Sequence, residues 1–394
     1  MKKAVVIGHS YLSRLSIIRA LGELGYDITV IINSSKILQA DCYSKYVRRV
    51  LVCSFSEEER FVRLLLEECI NKVGKTILMP TSDRSVSIID KHQDELKDYF
   101  VFSHINHSSG QIIHWMDKSV QKELARKQGL NVAGSWQIEI KNQGFTIPDG
   151  IVYPCFVKPQ ITLCGGKTAF KRCNDETELR QFIYEMGQRW GNIVLLVERY
   201  LVVDKEYAVV GFSDGENVCI PGIIHLEQVS QSHFGVARSG RVLPIGSFRP
   251  LTEQFKNYVK AVGYVGLFDI DFLECQGRYY FCELNFRFGG SGDALTRMGV
   301  NLPVMFAERL PTGQTGAFPS EITTEATFMN ERVCLDDWYS GYLTMREYKE
   351  LEKSVDFGLL YDPNDPRPYS LFKRYYVKAI GLKRAARKFK AWIC

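Results

Sequence analysis

The chain has 394 residues, 45% of them hydrophobic and 24% charged, a balance found in ordinary globular proteins and a length that implies about two or three lobes. Its longest apolar run, around Ile193 to Val197, is far too short to cross a bilayer. The net charge of +5 is unevenly spread: nine Lys or Arg and no acid lie from Arg367 onward, so the body is mildly acidic and the end strongly basic. The 11 cysteines are scattered singly with no C-x-x-C pair, which argues against a disulfide frame or a zinc site. They read as reduced, buried, non-catalytic thiols. Because Met1-Lys-Lys-Ala-Val-Val-Ile-Gly8 runs directly into a strand and a glycine turn, no leader is expected and the expected compartment is the cytoplasm.

Ala4 to Ile7 reads as a buried strand, Leu12 to Leu24 as a helix closed by Gly25, and Ile28 to Ile32 as a second strand. Thr76 to Met79 is a further strand, leading into Pro80-Thr-Ser-Asp-Arg84. Alternating units of this kind build a doubly wound parallel sheet. A dinucleotide is not expected on it, because His9, Ser10 and Tyr11 follow Gly8 where G-x-G-x-x-G would need glycines. Loops after such strands commonly hold ligands, so Ser82, Asp83 and Arg84 either line a substrate edge or cap the helix from Val86.

A second block begins near Gln111. Lys118 to Lys127 is helical in pattern, and strands recur at Tyr153 to Lys158, Ile193 to Glu198, Tyr207 to Phe212 and Val218 to Ile224, with a helix at Pro250 to Val262. Lys158 ends an apolar strand, where it either reaches solvent or meets phosphate. The following stretch, Gln160 to Thr168, contains Gly165 and Gly166 and can lay backbone N–H groups over phosphates as a lid, though it is not the pattern of a P-loop. Glu198 and Glu206, eight residues apart after a further apolar strand, offer groups for an adenine amino group and ribose hydroxyls.

The densest chemistry lies in a hairpin: Val265 to Leu273, a turn at Gln276-Gly277, then Arg278 to Leu284. Glu283, Asn285 and Arg287 alternate, so a strand points all three to one face, and Asp271 stands on the partner strand. Two carboxylates and an amide oxygen form a hard oxygen set for Mg²⁺, and an arginine beside it suits a transferring phosphoryl group.

The order Lys118, Lys158, glycine pair, Glu198, Glu206, Asp271, Glu283-x-Asn285-x-Arg287 resembles the ATP-grasp superfamily over roughly Lys3 to Pro303. The resemblance implies a fold of mixed α/β and α+β type: a Rossmann-like lobe at 1–110, a two-lobed ATP-grasp domain at 111–310 with its lid at 160–168, and a C-terminal extension with a basic tail at 311–394. It implies ATP with one or two Mg²⁺ (or Mn²⁺) ions. Lys118 and Lys158 would meet phosphates under Gly165 and Gly166; Glu198, Tyr200 and Leu201 would face adenine, and Glu206 the ribose. Asp271, Glu283 and Asn285 would hold the metal, while Arg287, with Lys158, would act on the reacting phosphoryl group. The Phe328 to Trp338 stretch and the Asp362 to Pro368 turn are similar to extensions of carboxylate–amine ligases of the D-aspartate ligase type, which act in bacterial cell-wall or surface-polymer synthesis. That stretch is read as carrying no chemistry of its own.

The implied reaction activates a carboxylate as an acylphosphate and joins it to an amine, with no enzyme nucleophile. Its substrates are an amino acid or other carboxylate and an amine acceptor. Arg238, Arg241 or Arg249 could hold a substrate carboxylate, and His225 or His233 could serve as a base, but the sequence does not choose among them. Two rivals stand beside this reading: a bicarbonate- or carbamate-activating enzyme, and a nucleotide sensor without turnover. The tail from Tyr369 to Trp392 mixes aromatics with basic residues and reads either as a helix packed on the body or as a peripheral contact with anionic membrane at its inner face. No nucleic-acid motif is present, so no nucleic-acid partner is expected. The sequence does not fix the oligomeric state.

Overall fold

The structure, a computed structural model, describes residues 2–393 other than 9–10, 35–38, 162, 164–168, 233–234, 315–317 and 319–320, and the backbone alone for 381–393. The chain opens with β1 (Lys3–Ile7), α1 (Tyr11–Glu23), β2 (Asp27–Ile32), β3 (Val47–Val52), α2 (Glu58–Glu68), β4 (Thr76–Pro80), α3 (Asp83–Lys91), the short α4 (Gln93–Leu96) and β5 (Phe100–Val101). These strands pair in parallel in the order β3-β2-β1-β4-β5. Connections run outward from β1 in both directions, so the loops after β1 and β4 meet at the switch point of the sheet. Gly8 sits there with φ +137°, and a Cβ on it would lie 2.5 Å from Thr81 Oγ1. One glycine for close approach suffices; the dinucleotide fingerprint is not needed.

β6 (His104–Ile105), α5 (Gln111–Trp115) and α6 (Lys118–Lys127) lead into an antiparallel lobe. It is built from β7 (Ser135–Ile140), β8 (Cys155–Pro159), β9 (Lys171–Cys173), α7 (Glu176–Trp190) and β10 (Ile193–Arg199), in the sheet order β7-β10-β8-β9. The helix α7 covers this sheet through Leu179, Phe182, Ile183 and Met186.

The large sheet comprises β11 (Lys205–Ser213), β12 (Val218–Cys219), β13 (Ile223–Val229), β14 (Ala237–Leu243), then, after α8 (Arg249–Val262), β15 (Tyr264–Cys275) and β16 (Arg278–Asn285). The sequence pattern joins Val218 to Ile224 in one strand, but the chain breaks at Pro221-Gly222, where proline cannot donate to a ladder. Beyond α9 (Asp293–Arg297) and α10 (Leu302–Arg309), β17 (Ala326–Met329), α11 (Glu331–Ser340), α12 (Met345–Ser354), β18 (Phe357–Gly358) and α13 (Arg367–Ile393) complete the chain. The main order is β16-β15-β11-β13-β14-β17-β18, with β6 on β15 and β12 on β11. One face packs Tyr207, Val209, Phe268, Ile270 and Phe272 against α8. The other packs Ala208, Val210, Phe212, Ile224 and Phe328 towards α1, α10 and α11.

The C-terminal segment is part of the body. It supplies β17 and β18 to the sheet, and it is tied to the first lobe by a buried pair. Arg19 of α1 donates through Nε to Asp365 Oδ2 at 3.1 Å and through Nη1 to the Leu360 carbonyl at 3.0 Å, while the Lys45 N–H donates to Asp365 Oδ1 at 3.0 Å. Phe372 and Tyr376 in the first half of α13 are buried against the same region, so that half of the tail packs on the body. Among the described residues no helix is long and apolar enough to cross a membrane.

Replacing Arg19 by Met leaves Asp365, 1% exposed, without a countercharge in a closed site. The expected cost is about 3–5 kcal/mol. It should appear as a lower urea midpoint and as earlier proteolysis after Arg309; an unchanged midpoint contradicts the role given to this pair.

Candidate functional site

The hairpin of β15 and β16 sets the site. Its register places Asp269 opposite Asn285 and Asp271 opposite Glu283. Simple alternation would put Phe281 on the face of Glu283, yet Phe281 packs in the core with Leu284. A register shift between Asp271 and Phe272 pairs Phe272 with Phe281, so Cys282 is the extra residue of a bulge. That bulge lets Phe281 and Leu284 fill one core while Glu283 turns to the other face. Asn285 Nδ2 donates to Asp271 Oδ2 at 3.2 Å, and Arg287 Nη2 donates to Asn285 Oδ1 at 3.4 Å. The three oxygen-bearing residues and Arg287 named from the sequence therefore meet.

The lysines arrive from other elements. Asp117 caps α6 by accepting from the Ser119 N–H at 2.8 Å, and Gln121 pairs with the free edge of β16, accepting from the Leu284 N–H at 2.7 Å and donating to the Leu284 carbonyl at 2.9 Å. This docking fixes the first turn of α6 beside the hairpin, with Lys118 Nζ 3.3 Å from Glu283 Oε2. Lys122, one turn on, pairs with Glu198, and Lys158 Nζ lies 3.0 Å from the other oxygen of Glu198. Lys122 was not singled out by the sequence pattern, although its i+4 spacing from Lys118 was the available signal.

Charge balance explains why these groups stay ionised while buried. Burial alone would lift the carboxyls of Glu283 and Glu198, but Lys118 and Lys158 hold Glu283 below its ordinary value, and Lys158 and Lys122 do the same for Glu198. Burial opposes the charge on Lys158, yet Glu198 and Glu283 raise its pKa. Lys122 is lowered, burial outweighing the attraction of Glu198. Arg287 is raised against its burial by Asp83 and Asp269.

Asp83 comes from the first lobe. Ser82 caps α3, accepting from the Ser85 N–H, while Asp83 Oδ1 accepts from Arg287 Nε at 3.0 Å. The loop therefore caps the helix through Ser82, while Asp83 turns to Arg287. Arg84 turns away to Glu58 at 2.7 Å.

The other expected residues are placed as follows. Tyr200 follows β10, its N–H donating to the Pro154 carbonyl at 3.1 Å and its ring lying 4.5 Å from the Arg172 guanidinium; Leu201 is next to it. Glu206 is on β11, on the face of Ala208, whose cross-strand partner is Asp271. Gly165, Gly166 and His233 lie outside the described residues. His225 faces the opposite side of the sheet, its ring 5.0 Å from that of Tyr207, so it does not serve this site. Arg241 pairs with Glu227 at 3.0 Å and Arg249 with Glu321 at 2.6 Å, both on the surface. Arg238 lies 3.5 Å from the buried Asp337.

A cavity of about 500 Å³ opens in front of the hairpin, lined by Asp269, Asp271, Glu283 and Arg287, by Thr81, Ser82 and Asp83 of the first lobe, and by α11. Residues of the Phe328 to Trp338 stretch, read from the sequence as carrying no chemistry, thus line this cavity. Among the described residues no group of three or more His, Cys, Asp or Glu forms a metal cluster. The set here is two carboxylates and an amide, which fits Mg²⁺ because that ion keeps several positions for water and phosphate.

Asp269 is the residue that the sequence reading passed over, although its place two before Asp271 puts it on the same face. Its Oδ1 is buried without a hydrogen-bond partner. Burial pushes its carboxyl up to about 6; Arg287 pulls it back in part, and Glu283 adds to the rise. A raised folded pKa means that the contribution to stability is present below the unfolded value near 3.8 and is lost as pH rises through about 6. Ionised Asp269 therefore costs the fold on the order of 2–3 kcal/mol at neutral pH. Asp269→Asn should raise the melting temperature at pH 7.5, with the gain shrinking between pH 6 and pH 4; a gain independent of pH contradicts this assignment.

Residues 117–315, half of the chain, match the family described as "Carbamoyl-phosphate synthase L chain, ATP binding domain". A carbamoyl phosphate synthase large chain from Clostridium beijerinckii is 23% identical over 311 residues, covering 72% of this chain and 26% of the relative. The chain thus spans about a quarter of the length of that relative. Among solved structures, an L-amino acid ligase from Bacillus licheniformis superposes with a TM-score of 0.62 at 18% identity, covering 83% of this chain and 79% of the other. The biotin carboxylase domain of a 2-oxoglutarate carboxylase from Hydrogenobacter thermophilus, in complex with MgADP, ADP and bicarbonate, superposes with a TM-score of 0.66 at 19% identity, covering 83% and 73%. These likenesses show a shared fold.

Proposed function

The chain belongs to the carbamoyl-phosphate synthase L chain ATP-binding domain family and has the ATP-grasp fold, and from that premise we propose that it is an ATP-dependent ligase joining a carboxylate to an amine. The observation that carries the reading is the meeting of Asp271, Glu283, Asn285 and Arg287 with Lys118 and Lys158 beside one cavity. We divide the chain into a Rossmann-like lobe at 1–110, an ATP-grasp domain at 111–310 and an extension at 311–394.

In this reading Asp271, Glu283 and Asn285 hold Mg²⁺, which when bound offsets charge on the β- and γ-phosphates. Lys118 and Lys158 orient the phosphates. The buried pairing of Lys158 with Glu198 fixes its ammonium group before ATP arrives, so little reorganisation remains. Glu198, the backbone at Tyr200 and Leu201, and Glu206 form the nucleoside end. A substrate carboxylate oxygen attacks the γ-phosphorus and ADP leaves, giving an acylphosphate. A neutral amine attacks its carbonyl carbon, inorganic phosphate leaves with the C–O bonding pair, and the amide nitrogen sheds its extra proton. Arg287 stabilises the transferring phosphoryl group, and Asp83 holds that guanidinium in place from the first lobe.

The test is ATP-dependent phosphate release across pairs of amino acids, with Glu283→Gln as control. Release with at least one pair, lowered on the order of a hundredfold or more in the variant, is the expected result. Release that needs bicarbonate and no amine favours the carboxylating reading, which the biotin carboxylase likeness keeps in view. ATP binding without release under any of these conditions assigns the chain to nucleotide sensing. A role in cell-envelope synthesis would follow from an envelope precursor acting as acceptor.

The basic end of α13 suits a peripheral contact with anionic lipid in the cytoplasm, charge attracting it and aromatics entering the interface. Deleting residues 383–394 should weaken binding to phosphatidylserine vesicles while sparing turnover in solution. Undiminished vesicle binding removes this part of the reading.

A further inference from the structure

The lining of the cavity includes Asn330, which caps α11, and Arg332, Val333 and Asp336 from its first turns. Arg332 and Asp336 are four residues apart and so share one face of the helix, with Nε 3.6 Å from Oδ2. The Arg332 guanidinium lies 5.4 Å from the ring of Tyr11, on the first lobe, and 5.5 Å from the ring of Phe372, on α13. Asp336 accepts a hydrogen bond from the Tyr376 hydroxyl, also on α13. Three separate elements therefore surround one cation that lines the cavity, with two aromatic rings and a carboxylate beside it.

The remaining charges of the cavity explain why that cation matters. Its described walls carry Asp83, Asp269, Asp271, Glu283 and Asp336 against only two arginines, Arg287 and Arg332. Arg287 is engaged by Asp83 and Asn285 at the hairpin end. For a second, non-reacting carboxylate of a substrate, Arg332 is the cation of this described lining that stands apart from the hairpin. The same lining includes the apolar Leu12, Leu226, Val236, Val333 and Leu359, which suit the carbon skeleton of a substrate.

We propose that Arg332 is the specificity-determining anchor for the non-reacting carboxylate of an amino acid substrate, with Asp336, Tyr11 and Phe372 positioning its guanidinium. The inference rests on the ligase reading for the identity of the reaction, but the binding it describes stands apart from turnover. Removing a bidentate, charge-assisted contact of this kind weakens binding on the order of tenfold to a hundredfold.

The test measures equilibrium binding of the standard amino acids, as L- and D-enantiomers, and of their carboxamides. Wild type, Arg332→Met and Arg332→Lys are compared in the presence of Mg²⁺ and a non-hydrolysable ATP analogue, and phosphate release with ATP is followed in parallel. The expected result is that wild type prefers a free acid over its carboxamide by about tenfold or more, that Arg332→Met loses that preference with unchanged affinity for the ATP analogue, and that Arg332→Lys keeps part of it. A merely structural role would weaken acid and amide alike. The proposal is overturned if wild type does not discriminate acid from amide, if the preference survives in Arg332→Met, or if no free acid binds. Discrimination without phosphate release upholds the anchor and removes the ligase reading; phosphate release with undiminished discrimination in Arg332→Met does the reverse.

Discussion

Four ionic side chains, three of them buried and Glu283 half-buried, together hold the centre of this molecule: Lys118 on α6, Lys158 on β8, Glu198 on β10 and Glu283 on β16. Each would be costly alone in an interior, and removing one partner would leave another uncompensated. Their pairing ties the antiparallel lobe to the edge of the large sheet through the helix that joins them. The elements are positioned before the charges are counted: Gln121 docks α6 on β16, and the bulge at Cys282 turns Glu283 out of the apolar core. Lys122 adds a second cation to Glu198, which fixes that carboxylate from both sides. In the proposed reading, these lysines, already held by glutamates, meet the phosphates of ATP.

The first lobe and the C-terminal segment complete what the hairpin begins. A parallel sheet delivers ligand-facing loops at its switch point, and here that rule brings Thr81, Ser82 and Asp83 to the cavity, with Asp83 on Arg287. The C-terminal segment adds strands to the large sheet and is locked to α1 through Arg19 and Asp365, which brings α11 to the far wall. Three stretches of chain distant in sequence therefore share one cavity. Asp269 shows the cost of that arrangement: an ionised carboxylate with an unpartnered oxygen is tolerated where the same region gathers the groups assigned to binding.

Much of this was legible in the residues. Strand alternation set Glu283, Asn285 and Arg287 together, and the helix from Lys118 to Lys127 has the bounds that its pattern implies. What stayed hidden depended on contacts between distant segments. Lys122 looks like any charged residue on an amphipathic helix until Glu198 is seen beside it. The candidates Arg241 and Arg249 carry the right charge for a substrate, but surface glutamates engage them, and His225 falls on the wrong face of its strand. The role proposed for α11 could not be read locally, because Arg332 gains its surroundings from Tyr11 and Phe372, more than three hundred and sixty residues apart in the chain.

The central claim is that the oxygen set of the hairpin binds a divalent ion together with a triphosphate. Calorimetric titration of ATP into wild type, Asp271→Asn and Glu283→Gln, each with and without Mg²⁺, addresses it most directly. Mg²⁺ should tighten ATP binding to wild type and give little or no gain in either variant, while circular dichroism shows both variants folded at the temperature of the titration. An equal Mg²⁺-dependent gain in all three proteins would place the metal elsewhere and contradict the account.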